Sequence, residues 1–145
     1  MKNQRGDATS PPDRARELRA ELARRITLFM GSAENRATDI PGLTLHRRTA
    51  PTAPCSMTYA PGVIVIAQGR KRVELGRNIF IYDASRFLLT SVDLPVVSRV
   101  IEASEQAPCL ALSLKLEMPV VRELLSREEI RLAEAPSDSP GMATG

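Results

Sequence analysis

The sequence predicts a mainly β fold, an antiparallel barrel or double sheet with one helix before it and one after it. From Gly42 onward, apolar and polar residues alternate with the period of two that a half-buried strand needs. Gly, Asp, Asn and Pro interrupt this alternation at short intervals, as they do in tight turns. On either side of this region, apolar residues recur at spacings of three and four, which is typical of amphipathic helices.

The first helix is predicted from about Pro12 to Met30. Ser10 suits an N-cap, and the prolines and Asp13 that follow it suit a first turn. Gly31 supplies a stop signal at the other end. The apolar stripe of this helix consists of Leu18, Leu22, Ile26 and Phe29. We expect the helix to dock on the β region through this stripe.

Short strands are predicted between Leu43 and Leu116, joined by turns that include Gly69 and Gly76. The predicted strands cover residues 43–48, 56–59, 63–68, 71–75, 79–83, 87–91, 96–103 and 109–116. The run from Val63 to Ala67 is apolar on both faces, which predicts a central strand covered on both sides. Short strands joined by tight turns form an antiparallel sandwich or barrel. Alternation alone leaves open which face of each strand lines the interior.

A second amphipathic helix is predicted after the last strand, running to about Leu132. Its apolar residues at helical spacing are Met118, Val121, Leu124 and Leu125. Residues 133–145 are small, polar and rich in Pro, Ser and Gly, which predicts a linker or disordered end. The predicted organisation is therefore an N-terminal arm and helix (1–38), a barrel with its C-terminal helix (39–132) and a linker (133–145).

The composition indicates one soluble domain. A length of 145 residues fits a single hydrophobic core with flanking segments. No apolar run approaches the roughly 20 residues that cross a bilayer, and the N-terminus lacks the apolar core of a signal peptide. We therefore expect a cytoplasmic protein without membrane contact. In that compartment Cys55 and Cys109 are predicted to be thiols rather than a disulfide.

The net charge of +3 comes from the N-terminal segment. Residues 1–25 contain seven Lys or Arg and four Asp or Glu, and the remaining residues contain thirteen of each. Phosphate binding needs a concentrated basic face, which a neutral body does not provide. The charge pattern therefore does not predict direct DNA binding by this chain.

His46 is the only histidine, which argues against metal catalysis. Barrels that work as metal enzymes need two or three histidines plus a carboxylate, so His46 is predicted to be an ordinary strand residue. A G-x-S-x-G elbow and the phosphate-binding glycine spacings are absent from the sequence. The basic cluster of residues 70–72 is predicted to be a solvated turn. The sequence thus predicts no enzyme, no metal and no cofactor.

A barrel interior can still hold one small molecule among apolar walls and a few polar groups. The candidate ligand contacts are the uncommon polar or aromatic residues in otherwise apolar strands, namely Tyr59, Gln68, Tyr82 and Arg86. The alternative for Gln68 and Arg86 is that they lie on the solvent face. The alternative for the two tyrosines is that they pack in the core.

Five fragments, in this order and spacing, resemble the N-terminal domain of a subgroup of AraC-type transcription regulators. They are Ile40 to Leu45, Thr49 to Thr52, Gln68 to Val73, Tyr82 to Ala84 and Thr90 to Pro95. The combination of Q-G-x-K with S-V-D-L-P is the more specific part of the match, which covers about residues 21–125. Two departures are small: Cys109 replaces a common aromatic, and Arg77 replaces a frequent acidic or amide residue.

The resemblance implies a cupin-like domain that binds a small-molecule effector and forms a homodimer. In this family such a domain is normally followed by two helix-turn-helix units that bind DNA, and no such pattern follows Leu132. DNA would then be reached only through a domain outside this chain. The resemblance also places dimer contacts on the helix from Met118 to Leu125, with packing of that helix on its own barrel as the alternative.

Two other functions remain open from the sequence. One is a free-standing cupin-like protein that binds or transforms a small molecule. The other is a structural dimerisation domain whose barrel is filled with side chains. The identity of the effector and the direction of regulation do not follow from the residues.

Overall fold

The computed structural model describes residues 11–127 and 142–145, and these form two helices and ten strands. The helices are α1 (Pro11–Met30) and α2 (Met118–Leu125). The strands are β1 (Asn35–Ala37), β2 (Leu43–Arg48), β3 (Cys55–Tyr59), β4 (Gly62–Gln68), β5 (Arg70–Leu75), β6 (Asn78–Asp83), β7 (Phe87–Thr90), β8 (Leu94–Glu102), β9 (Cys109–Lys115) and β10 (Met142–Thr144).

The strands build two antiparallel sheets. The larger sheet has the order β1-β2-β9-β4-β7-β10, and the smaller has the order β3-β8-β5-β6. The predicted mainly β fold with a helix on each side is therefore confirmed, in its double-sheet form. Within the described residues the strand pairings leave the two sheets separate and close no barrel.

Helix α1 covers the outer face of the larger sheet. Ile26 and Met30 are 3% and 2% exposed, and they pack with Leu45, Ala67 and Leu110 of the sheet. Burying an aliphatic side chain of this size stabilises a fold by roughly 1.5–3 kcal/mol. The predicted docking of this helix on the β region is confirmed, with Leu22 and Ile26 of the predicted stripe packed on the sheet. The other two residues of that stripe, Leu18 and Phe29, are 59% and 37% exposed, so the prediction was wrong for them. Met30 is buried instead, and the docked stripe of α1 runs through Leu22, Ile26 and Met30.

A second apolar cluster lies between the two sheets. Ile66 and Leu88 from the larger sheet meet Val73 and Tyr82 from the smaller one, and all four are at most 1% exposed. Tyr59 and Met142 complete part of the same cluster. The larger sheet contributes to this cluster from β4, β7, β9 and β10, whereas the described residues of β1 and β2 lie outside it.

Both glycines of the predicted hairpins have the backbone conformation that turns require. Gly69, between β4 and β5, has a φ of 94°, and Gly76, between β5 and β6, has a φ of 58°. A Cβ at residue 69 would lie 2.8 Å from the Glu102 carbonyl oxygen, so the position also needs the missing side chain. These two residues fix where β5 begins and ends.

The C-terminal part differs from the predicted linker at its last residues. Met142–Thr144 pair with β7 as an edge strand, because Met142 lies opposite Thr90 and fills the apolar cluster. Helix α2 is observed to Leu125, and the predicted continuation to about Leu132 lies largely outside the described residues. The same holds for residues 133–141 of the predicted linker.

Candidate functional site

A cavity of about 570 Å³ opens between the sheets, beside the apolar cluster. One wall is the inner face of β1, β2, β9 and β4, and the facing wall comes from β3, β5 and β8. Its lining includes polar residues such as His46, Arg48 and Ser113 and apolar residues such as Ile64 and Val100. The lining of the cavity is therefore amphipathic rather than uniformly apolar.

The strand register explains why these polar side chains face inward. His46 lies opposite Asn35 of β1 on one side and opposite Ala111 of β9 on the other. Directly opposed residues of neighbouring strands share a face, and residues two apart along a strand return to it. Thr44 and Arg48 consequently join His46 on the cavity wall, whereas Leu45 points to α1.

Four side chains on this wall form one hydrogen-bonded chain. The His46 Nδ1 lies 2.9 Å from the Asn35 Oδ1, and the His46 Nε2 lies 2.9 Å from the Ser113 Oγ. The Arg48 Nη2 donates to the same Asn35 Oδ1 at 3.0 Å. Because that oxygen accepts two bonds, we assign the proton of a neutral imidazole to Nδ1, with Nε2 accepting from the Ser113 hydroxyl.

His46 is held in its neutral form. Burial, and to a smaller extent the nearby positive charges of Lys71 and Arg48, lower its pKa from 6.5 to about 4. The histidine therefore contributes hydrogen bonds to the cavity at neutral pH and adds no charge. The prediction that His46 is an ordinary strand residue missed this position.

The charged groups of the cavity wall are all cationic. Among the described residues that line it are Arg48, Lys71 and Lys115, and neither Asp nor Glu. Arg70 and Arg72 flank Lys71 in β5, and each lies beside a carboxylate, at 3.5 Å from Glu102 and 2.9 Å from Glu74 respectively. The strand therefore turns the central lysine of the basic cluster inward, away from its two paired neighbours.

Of the four predicted ligand contacts, Tyr59 lines the cavity. It is 9% exposed, and its hydroxyl donates to the Ser98 Oγ at 2.9 Å. Tyr82 lies behind it in the apolar cluster, and its buried hydroxyl has no hydrogen-bond partner within the described residues. Burial, together with the neighbouring Tyr59, raises the pKa of Tyr82 well above its usual value.

The structure places Gln68 and Arg86 away from the cavity. A bulge between Ile66 and Gln68 shifts the register, so that Gln68 lies opposite Leu110, whose side chain packs under α1. The Gln68 Nε2 donates to the Pro108 carbonyl at 2.8 Å. Arg86 is exposed in the turn before β7. Their assignment to a ligand stays a prediction without support from position.

Sequence reasoning missed most of the polar residues that line the cavity. The missed residues are Asn35, His46, Arg48, Lys71 and Ser113. A usable signal was present in β2 and β9, where one face carries leucines and the other carries small, polar or charged residues. Alternation alone leaves open which of the two faces points between the sheets, and in the structure the leucine face points to α1.

The fold and the cavity together define a double-sheet β domain with an amphipathic interior site. The family described as AraC-type transcriptional regulator N-terminus matches residues 39–145. The chain belongs to this family. No curated protein sequence matches the chain. No helix within residues 11–127 or 142–145 is long and apolar enough to cross a membrane.

Proposed function

We propose that this chain is the effector-sensing and dimerisation domain of an AraC-type regulator, acting in the cytoplasm. A small molecule bound in the cavity would favour one arrangement of the domain and so bias a DNA-binding domain elsewhere in the regulator. Family membership supports the regulatory role. The cavity of about 570 Å³ is the observation that carries the ligand-sensing role.

The cavity has the size and lining of a small-molecule site. Its volume falls within the range of about 300–1,000 Å³ in which such sites occur. Protein interiors are otherwise packed like organic crystals, so an interior shaped by stability alone would be filled with side chains. A few polar groups placed among apolar ones fix a ligand's orientation in such a site. Tyr59 is the sequence-derived candidate that we retain as a direct contact, with Tyr82 as its support.

Cavity blocking tests the sensing role. Thr44→Phe places a ring in the cavity, whereas Thr27→Phe places the same ring on the exposed side of α1. Thermal unfolding of the chain is measured across a broad metabolite library. A compound present at 100 times its dissociation constant should stabilise the unaltered chain and the Thr27→Phe variant by about 2.7 kcal/mol. The Thr44→Phe variant should not respond. A library without any stabilising compound, or a Thr44→Phe variant that responds equally, would contradict the proposal.

The apolar face of α2 supports the dimerisation role. Leu124 and Leu125 are 41% and 40% exposed, and none of the residues of α2 is fully buried. Met118 and Val121 lie on the same face and are half-buried. Packing against its own domain therefore leaves most of this apolar face uncovered in the described structure, and a second copy of the domain would cover it.

Sedimentation equilibrium tests the dimer. Leu124→Glu puts a charge on the apolar face, and Arg122→Glu puts the same residue elsewhere on α2. We expect the unaltered chain and the Arg122→Glu variant to be dimeric and the Leu124→Glu variant to be monomeric, with unchanged circular dichroism. A monomeric unaltered chain, or a dimer that both variants retain, would remove α2 from the interface.

A further inference from the structure

The positive charges on the cavity wall have no countercharge in the described structure. Lys71 is half-buried as a residue, and its ammonium group makes no hydrogen bond or ion pair with any residue of 11–127 or 142–145. Arg48 contacts only neutral groups there, namely the carbonyl oxygens of Glu34 and Arg47 and the amide oxygen of Asn35. Unpaired cations in a partly dry site are costly unless something else supplies the anion.

The positive charges of Lys71 and Arg48 both act on one region of the cavity. Lys71 extends from β5 of the smaller sheet and Arg48 from β2 of the larger one, and both lie close enough to His46 and Cys109 to affect their pKa values. The two sheets therefore present positive charge to one region of the cavity from opposite walls. A ligand atom in that region would be reached from both sides.

The donors that remain on Arg48 suit one small acceptor group. A guanidinium has five N–H donors. Two on Nη1 reach carbonyl oxygens and one on Nη2 reaches Asn35, so the Nε–H and one Nη2–H remain for a ligand. Two donors match the two oxygens of a single carboxylate. Further along the cavity, Met57 and Ile64 belong to its lining and suit an apolar body.

We propose that the effector of this domain is a small organic carboxylate whose anionic end contacts Arg48 and Lys71. Its apolar part lies along Met57 and Ile64 of the same cavity. This inference rests on the proposed ligand-sensing function and adds the chemical class of the ligand. The flanking Arg70 and Arg72 take no part, because they lie beside carboxylates of the protein.

The single histidine gives a direct readout, because its ring signals in an NMR spectrum belong to His46 alone. The probes are benzoate, 3-phenylpropanoate and hexanoate, each compared with its own amide, and inorganic phosphate. We expect at least one carboxylate to shift the His46 ring signals at millimolar concentration, and its amide and phosphate to leave them unchanged. Lys71→Met and Arg48→Met should weaken that binding about 10-fold to 100-fold.

Arg70→Met is the matched control, since it removes the same charge one residue away on the other face of β5, and it should leave the affinity within about twofold. Lys71→Arg keeps a positive charge at residue 71, so it should bind the carboxylate more tightly than Lys71→Met does. Unfolding without ligand shows whether Lys71→Met folds, and loss of an unpaired cation should leave its stability equal or higher.

The outcomes separate the two proposals. Amides that bind as well as the acids, or a Lys71→Met variant that binds unchanged, would overturn the carboxylate and leave small-molecule sensing in place. Phosphate binding that exceeds every carboxylate would overturn the carboxylate as well. If neither the acids, the amides nor the broad library bind, both the carboxylate and the sensing function fall.

Discussion

The two faces of strands β2 and β9 have opposite character. On the outer face, Leu45 and Leu110 lie under α1 and are 8% and 1% exposed. On the inner face, His46 directly follows Leu45 and Ser113 lies three residues after Leu110, and these two side chains form a hydrogen bond beside an open cavity. The same two strands therefore hold a dry interface on one side and a polar site on the other.

This difference teaches that stability and recognition are assigned to alternate residues of one strand pair. A strand sends neighbouring side chains to opposite faces, so the two properties can vary without interfering. The helix supplies the apolar partner for one face, which frees the other from the need to pack. Substitutions on the two faces should then affect different measurements, and the effects below run from the largest to the smallest.

The largest effect is expected at the outer face. Leu110→Ala should lower the free energy of unfolding by about 2–5 kcal/mol, because it opens a cavity in a packed interface. Leu28→Ala, on the exposed side of α1 where Leu28 is 71% exposed, should change it by less than about 0.5 kcal/mol. Urea unfolding measures both. Equal effects would mean that α1 does not pack on this face.

A smaller effect is expected from pH, through the inner face. His46 has a pKa of about 4 in the folded chain and about 6.5 when unfolded. Above about pH 6.5 the His46 imidazole is neutral in both the folded and the unfolded chain. As the pH falls from about 6.5 towards 4, His46 binds a proton in the unfolded chain first. The free energy of unfolding should therefore decrease across this window.

A His46→Gln variant should show a flatter dependence of stability on pH in the same window. The lowered pKa values of Glu21, about 2, and of Asp83 act in the same direction, but at lower pH. Urea unfolding at about pH 7 and about pH 5 separates the two contributions. An identical slope in both proteins would show that His46 is not held neutral by its surroundings.

The smallest effects are expected at the two tyrosine hydroxyls. Tyr59→Phe removes a buried hydrogen bond to Ser98 and should cost about 0.5–1.5 kcal/mol. Tyr82→Phe removes a buried hydroxyl without a partner in the described residues, so it should be neutral or stabilising. Thermal unfolding of the two variants compares them directly. A larger loss at Tyr82 would point to a bonded partner for its hydroxyl.

The sequence was sufficient for the fold because its signals are local. The helical spacing of apolar residues predicts α1, and Gly69 and Gly76 predict the turns at the two ends of β5. Both glycines have the positive φ that such turns need. The site was harder, because it depends on which face of each strand meets the helix. That choice is made by long-range packing of Leu110 and Leu45 against Ile26, which period alone does not encode.

Particular residues show the same limit. Gln68 was selected for its polar character, and a one-residue bulge turned it to the outer side. Lys71 belongs to the basic cluster that is predicted to be a solvated turn. In the structure it lies in β5 and lines the cavity, whereas its neighbours Arg70 and Arg72 lie beside carboxylates. In both cases the direction of the side chain depends on the register with a strand that is distant in sequence. Gln68 lies opposite Leu110 of β9, and Lys71 lies opposite Val100 of β8.

The most direct test of the division between the two faces compares neighbouring arginines of β2, and it needs no ligand. Arg47→Met and Arg48→Met remove the same charge from opposite faces, and NMR titration of the single histidine reads the result. We predict a His46 pKa near 4 that rises in Arg48→Met and stays unchanged in Arg47→Met, because Arg48 shares the cavity wall with His46. An unperturbed value near 6.5, or an equal response to both substitutions, would contradict the inward-facing polar wall on which the proposed function rests.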